Sequence, residues 1–302
     1  WERPENKKLE TEMTSFIENS NFFAENNPEE IAGVYGTPVY VYNEKILRDR
    51  MAKVAKVITK YPYTANYSVK ANTNIHILKL ALEEGLNCDA MSVGEITLLM
   101  KAGFPVERIF FVPNNVAPYE LAFALKNKVM TSLDSLSQLE LFGEVCNQLN
   151  IPAGERKCAI RINPGVGAGH HEKVVTGGKK TKFGIAEYDI PHIFEIASKY
   201  GVRIAGINQH IGSLFMDPQP YLDAVTNLLR IAEGFKDLDF IDFGGGYGIP
   251  YHKLDDEKDF PMEDFKARLE PILDDFVARY GKAPLFKSEP GRFCVAEGSV
   301  IL

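Results

Sequence analysis

The 302-residue sequence has four cysteines, one tryptophan and no excess of positive charge. Cys88, Cys146, Cys158 and Cys294 form no CxxC pair and, in a chain this long, no disulfide framework. The net charge is −7 and the pI about 5.5, which excludes a uniform nucleic-acid-binding surface, because phosphate neutralisation needs clustered Lys and Arg. No apolar run approaches the roughly 18 residues of a membrane span. The opening "WERPENKKLE" has neither an apolar signal core nor an initiating Met, and reads as a boundary. GxGxxG, the P-loop Gly-Lys-[Ser/Thr] and GxSxG are all missing, which removes the standard dinucleotide, nucleotide and α/β-hydrolase fingerprints. These absences lead us to expect a soluble, cytoplasmic protein with no nucleic-acid or membrane partner.

What is present is rhythm. Eight short apolar runs, at 64–70, 88–92, 109–113, 129–134, 158–164, 204–213, 240–246 and 285–291, have strand character. Amphipathic stretches at 75–84, 93–102, 118–126, 135–148, 190–200, 220–235 and 265–280 alternate with them. Eight βα-like units match a closed parallel (β/α)8 TIM barrel, typically ~250 residues. A doubly wound open sheet is the alternative, and the count of eight favours the barrel. "GTPVYVYN" (36–43) adds a strand before the barrel and "FCVAEGSVIL" (293–302) a β-rich run after it. We therefore expect three parts: 1–43 as extension and entry strand of a β-rich second domain, 44–291 as the barrel, and 292–302 as the C-terminal start of that same β-domain. That tail is too short to build such a domain, so most of it is expected to be absent from these residues.

Active sites of such barrels lie at the C-terminal strand ends. Reading only those ends gives Lys70, Ser92, Asn114, Asp134, Asn163, His210 with Ser213, Gly244–Gly246, and Glu289 with Arg292. Each has a bland reading. A strand-end lysine is often a solvated cap, a glycine run is equally a tight turn, a lone histidine is more often a satisfied core residue, and "SEPGR" allows a simple Glu–Arg bridge. Together they read differently. A desolvated lysine amine can condense with an aldehyde. Glycine N–H groups and a serine hydroxyl can cradle a phosphate. An imidazole can lie flat on an aromatic ring, and a carboxylate can pair with a cationic ring nitrogen. These are the parts that a pyridoxal phosphate site needs.

At "YSVKAN", "HIGS", "DFGGGYG" and "SEPGR", in that order, the sequence resembles the barrel-type pyridoxal-phosphate decarboxylases of basic and diamino acids, which share their fold with alanine racemase. "YGTPVYVYN" and the "TGG…KFGI" end of residues 161–185 look most like the diaminopimelate decarboxylases. The resemblance implies that Lys70 holds the cofactor, His210 stacks on its ring and Glu289 pairs with the ring nitrogen. Gly244, Gly245, Gly246 and Ser213 would surround the phosphate. Arg292 would bind either the phosphate or a substrate carboxylate. It implies decarboxylation of a small amino acid, meso-diaminopimelate to L-lysine, by a protein that forms a homodimer when full length. Cys294 does not stand where the family carries its active-site cysteine, which lies in the following β-domain.

Ornithine, arginine or lysine decarboxylation, a pyridoxal-phosphate racemase and a non-catalytic cofactor-binding homologue are the alternatives. The family's racemases place an arginine at the ring nitrogen, so Glu289 argues for decarboxylation. Asp89 and Arg161 are read as a polar contact beneath the cofactor or as a structural pair. His170, His171 and Glu172 lack the i, i+4 spacing of HExxH and are read as a polar loop, with no metal expected.

Overall fold

The computed structural model describes residues 21–163, 165, 183–251 and 258–302. Strand β1 (Tyr40–Tyr42) precedes the barrel strands β2 (Tyr63–Ser68), β3 (Asn87–Ala90), β4 (Ile109–Phe111), β5 (Met130–Leu133) and β6 (Lys157–Asn163). A two-residue β7 (Ile185–Ala186) is followed by β8 (Arg203–Asn208), β9 (Phe240–Asp242), β10 (Leu285–Ser288) and β11 (Ser299–Ile301). Strands β2, β3, β4, β5, β6, β8, β9 and β10 pair in parallel in that order, and β10 pairs back onto β2, so the sheet closes as a (β/α)8 barrel. The short β7 pairs with β6 outside this ring.

The alternation of side chains along each strand separates two apolar layers. Ile109 and Phe111 of β4 join the large cluster between sheet and helices. Phe110, between them, belongs to a small separate cluster with Val112, Ala159 and Phe240, with Met130 and Leu285 packed against it. Phe110 and Phe240 meet edge to face at 5.3 Å from opposite sides of the barrel. This plug lies among the inward-facing positions. Many other inward positions are polar: Asn66, Asp89, Ser132, Arg161, Asn208, Asp242 and Lys287 are all buried. A barrel filled with so many polar groups gives up apolar burial worth roughly 1.5–3 kcal/mol per large side chain, which stability alone does not explain.

Helices Val93–Ala102, Pro118–Lys126 and Ile190–Tyr200 run over the residues expected from their periodicity. Ser92 proves to be an N-cap. Its side chain accepts from the Glu95 N–H at 3.2 Å, while Glu95 accepts from the Met91 N–H at 2.5 Å. Not anticipated are helices Pro28–Tyr35 and Glu44–Val54, the latter burying Leu47, Met51 and Val54.

The tail corrects one expectation. Residues 293–298 are not extended: Arg292–Val295 is a helical turn and Ala296–Gly298 a 3₁₀ turn, with strand confined to Ser299–Ile301. Phe293, Cys294 and Val295 are all buried, and three consecutive buried residues do not suit a strand with one solvent face. Strand β11 pairs antiparallel with β1, Tyr42 opposite Ser299, forming a two-stranded ribbon outside the barrel. Among the described residues no helix is long and apolar enough to cross a membrane.

Candidate active site

A cavity of about 400 Å³ opens at the C-terminal ends of the barrel strands. Its wall contains Lys70, His210, Ser213, Gly246, Glu289 and Arg292 from four separate βα segments. That volume falls within the range of small-molecule sites. Four further polar side chains in the wall, those of Ser68, Asn72, Tyr247 and Ser299, were not singled out from the sequence.

Lys70 lies just beyond β2, on the 3₁₀ turn Val69–Ala71, and not on the strand itself. Val69 is buried and Lys70 exposed, so the turn is anchored on one side and presents the amine on the other. Likewise β8 stops at Asn208, and His210 and Ser213 stand on the loop after it. The strand ends are laced together by backbone bonds: Gln209 N–H to Asp242 O at 3.1 Å, Glu289 N–H to Gly244 O at 3.0 Å, and Ser68 N–H to Pro290 O at 3.0 Å.

This lacing explains the glycine run. A Cβ on Gly244 would run into the Gln209 carbonyl oxygen, and one on Gly245 into that of Glu289. Both positions are required by backbone approach and neither is in the cavity wall; Gly246 is. Asp242 steadies the turn from below, accepting from the Gly244 N–H at 2.9 Å and from Asn66 Nδ2 at 3.1 Å. From outside, the Tyr221 hydroxyl donates to Gly244 O at 2.8 Å.

Arg292 donates to the Tyr251 hydroxyl and makes no ion pair with Glu289, so the simple turn bridge is not formed. Asp89 accepts from Ser68 Oγ at 3.0 Å, whereas Arg161 donates to Asn114 at 3.0 Å and lies over the Phe183 ring. The expected Asp89–Arg161 contact is therefore replaced by separate partners. Residues His170, His171 and Glu172 lie outside the described residues; among the described ones no group of three or more His, Cys, Asp or Glu is arranged to hold a metal.

Burial dominates the electrostatics. It pushes the Asp89 carboxyl up to about 7, against the pull of Lys70 and the Ser68 hydrogen bond. It pushes Asp242 up to about 6, against the Gly244 hydrogen bond. Glu289 is raised well above the usual carboxylate range by burial, with Asp242 and Asp89 adding. Its Oε1 is buried and has no hydrogen-bond partner among the described residues. His210 is held well below its ordinary value by burial and by the charges of Lys70 and Arg161, so its imidazole is neutral. Beneath them Lys287, lowered by burial, has its ammonium 3.9 Å from the Phe240 ring centroid and 5.0 Å from that of Phe110.

A carboxyl raised in the folded state, such as that of Asp89, contributes stability present below pH 4, which is lost as pH rises towards about 7. The Asp89→Asn variant, which keeps an acceptor for Ser68, should gain in Tm relative to the parent as pH rises from 4 to 7 and level off above. A difference in Tm that stays flat across this range would contradict it.

A family model described as the pyridoxal binding domain of pyridoxal-dependent decarboxylases matches residues 44–296. Among curated proteins, the diaminopimelate decarboxylase of Methanothermobacter thermautotrophicus is 38% identical over 281 residues, covering 90% of this chain and 64% of that protein. That of Aquifex aeolicus is 33% identical over 281 residues, covering 91% and 64%. The chain thus spans less than two thirds of the length of these two relatives. Among solved structures, diaminopimelate decarboxylase from Helicobacter pylori complexed with L-lysine superposes with a TM-score of 0.82 at 29% identity, covering 91% of this chain and 68% of that one.

Proposed function

Since the chain belongs to the pyridoxal-dependent decarboxylases, matching their pyridoxal-binding domain, we propose that it serves the decarboxylation of meso-diaminopimelate to L-lysine in the cytoplasm, using pyridoxal phosphate in the barrel mouth. The observation that carries this reading is one cavity walled by an exposed lysine, a neutral imidazole, an arginine, a serine hydroxyl and a buried glutamate with an unbonded oxygen. These residues fit the cofactor group by group. Lys70 has the free amine for its aldehyde. Ser213, the Gly246 backbone and Arg292 offer hydroxyl, unobstructed peptide and guanidinium to anionic oxygens, those of the phosphate or of a substrate carboxylate. Gly244 and Gly245 hold that peptide in place from within the fold.

When bound, the cofactor supplies a ring that accepts the electron pair left behind as CO2 departs. Glu289, kept protonated by burial, can deliver its proton to the ring nitrogen and stay as its counter-charge. His210, kept neutral, presents an uncharged face to a cationic ring. The substrate preference rests on the relatives, whose names are those of diaminopimelate decarboxylases. We assign residues 44–291 to the barrel, 1–43 to an extension and the entry strand of a β-domain, and 292–302 to the C-terminal start of that domain; the pairing of β1 with β11 supports that division. A homodimer is the proposed assembly of the full-length protein.

Supplied with pyridoxal phosphate, the full-length protein should release CO2 from meso-diaminopimelate with L-lysine as the product. Specificity, measured as kcat/KM, should exceed that for ornithine, arginine and lysine by at least about a hundred-fold, the discrimination available where buried polar groups read a substrate's far end. Equal or faster release from ornithine or arginine, or release from none, would contradict the reading.

A further inference from the structure

The turn that carries Lys70 is closed by Asn72, and every polar group of Asn72 is engaged. Its N–H donates to Val69 O at 3.1 Å, its carbonyl accepts from the Tyr67 hydroxyl at 2.9 Å, and its Oδ1 accepts from the Asn74 N–H at 2.9 Å. The first two come from the barrel side, where Tyr67 and Val69 are fully buried, and the third lies within the exposed turn itself. The fourth leaves the barrel: Asn72 Nδ2 donates to the Tyr42 hydroxyl of β1 at 3.1 Å. Because Oδ1 is committed to the Asn74 N–H, the amide is oriented with its NH2 towards Tyr42. An aspartate would close the same local turn through Oδ1 alone, so the amide donor serves only the link to the ribbon.

Tyr42 stands on a firm mount. The next residue, Asn43, donates its N–H to Gly298 O at 2.9 Å and caps helix Glu44–Val54 by accepting from the Ile46 N–H at 3.0 Å. It also donates to Phe22 O at 2.6 Å. On β11 the residue opposite Tyr42 is Ser299, itself part of the cavity wall. One strand pair outside the barrel thus supplies a piece of the wall and holds the residue that closes the lysine turn.

We propose that Tyr42 is a positioning residue for Lys70, acting through Asn72, so that the β1–β11 ribbon sets how the reactive amine is presented to the cavity. This rests on the reading above that Lys70 takes the cofactor aldehyde. The ribbon therefore acts on reactivity as well as enclosing the site. Whatever shifts β1 against β2 loosens the turn between Val69 and Asn74 and slows covalent capture at Lys70.

The test uses Tyr42→Phe, which keeps the ring and removes the hydroxyl, with Asn72→Ala and the double variant. The first readout is the rate of pyridoxal phosphate capture at Lys70, trapped with borohydride and located by peptide mapping. The second is amide hydrogen exchange at Asn72 and Asn74 without added cofactor. Loss of one hydrogen bond predicts capture about five-fold slower and turn exchange about five-fold faster in Tyr42→Phe, with Tm moved by no more than a few degrees. The double variant should be no slower than Asn72→Ala alone, because the two side chains share one interaction. Parental capture and exchange rates in Tyr42→Phe, or effects that multiply in the double variant, would overturn the proposal and leave Lys70 in its role. A parent protein that captures no cofactor at Lys70 would instead remove the reading on which it rests.

Discussion

Replacing Lys70 with alanine is expected to lower turnover at least about a thousand-fold, the scale seen when a reacting nucleophile is removed. The fold should not notice. The Lys70 side chain is exposed and makes no hydrogen bond or ion pair among the described residues, so its loss belongs with surface substitutions worth within about 0.5 kcal/mol. Lys70→Arg sharpens the result. It keeps a positive charge near Asp89 and Glu289, both of which feel Lys70, but a guanidinium does not lose its proton to become a nucleophilic amine. Both variants should be inactive, with thermal midpoints near that of the parent. Appreciable activity in the arginine variant would mean that Lys70 acts through its charge.

Glu289→Gln should separate function from stability. Turnover is expected to fall about a hundred-fold, since an amide of nearly the same shape has no carboxyl proton to give to a ring nitrogen, the order of loss when one electrostatic partner of a reacting group is removed. Stability should move the other way. The raised pKa of Glu289 means that the folded chain retains its proton where the unfolded chain gives it up. Its contribution is intact below the ordinary glutamate pKa and is lost as pH rises above it. A neutral glutamine escapes that loss, so the cofactor-free variant should be more stable than the parent at pH 7 and equal to it near pH 4. Thermal unfolding at the two pH values, run beside the CO2 assay, checks both halves. A variant that is destabilised at pH 7 would contradict the assignment of Glu289 as a buried, proton-retaining carboxyl.

The barrel was legible because helices such as Val93–Ala102 and Ile190–Tyr200 carry clear amphipathic periods and open at turns with their own chemistry. The strand ends were less so. Runs such as 204–213 and 240–246 continue apolar beyond the last paired residue, because Ile211 and Phe243 are buried in the loops above the strands. Burial alone does not distinguish a strand from a packed loop, so both Lys70 and His210 read as strand ends, whereas Lys70 stands on a 3₁₀ turn and His210 on a loop. The glycines were legible as necessary, but their dominant reason was not: Gly244 and Gly245 answer to neighbouring carbonyls, and only Gly246 reaches the cavity. Lys287 and Glu289 share the inward period of β10, a signal available from the sequence once the strand is placed. The Tyr42–Asn72 link was not legible, since it joins residues thirty positions apart through a strand pair that closes only with residue 299.

The most direct test of the account is borohydride reduction of the protein with pyridoxal phosphate, followed by peptide mass mapping. A single phosphopyridoxyl adduct is expected on the peptide bearing Lys70, and none in Lys70→Ala. An adduct spread over surface lysines, one on Lys287, or none at all would contradict it.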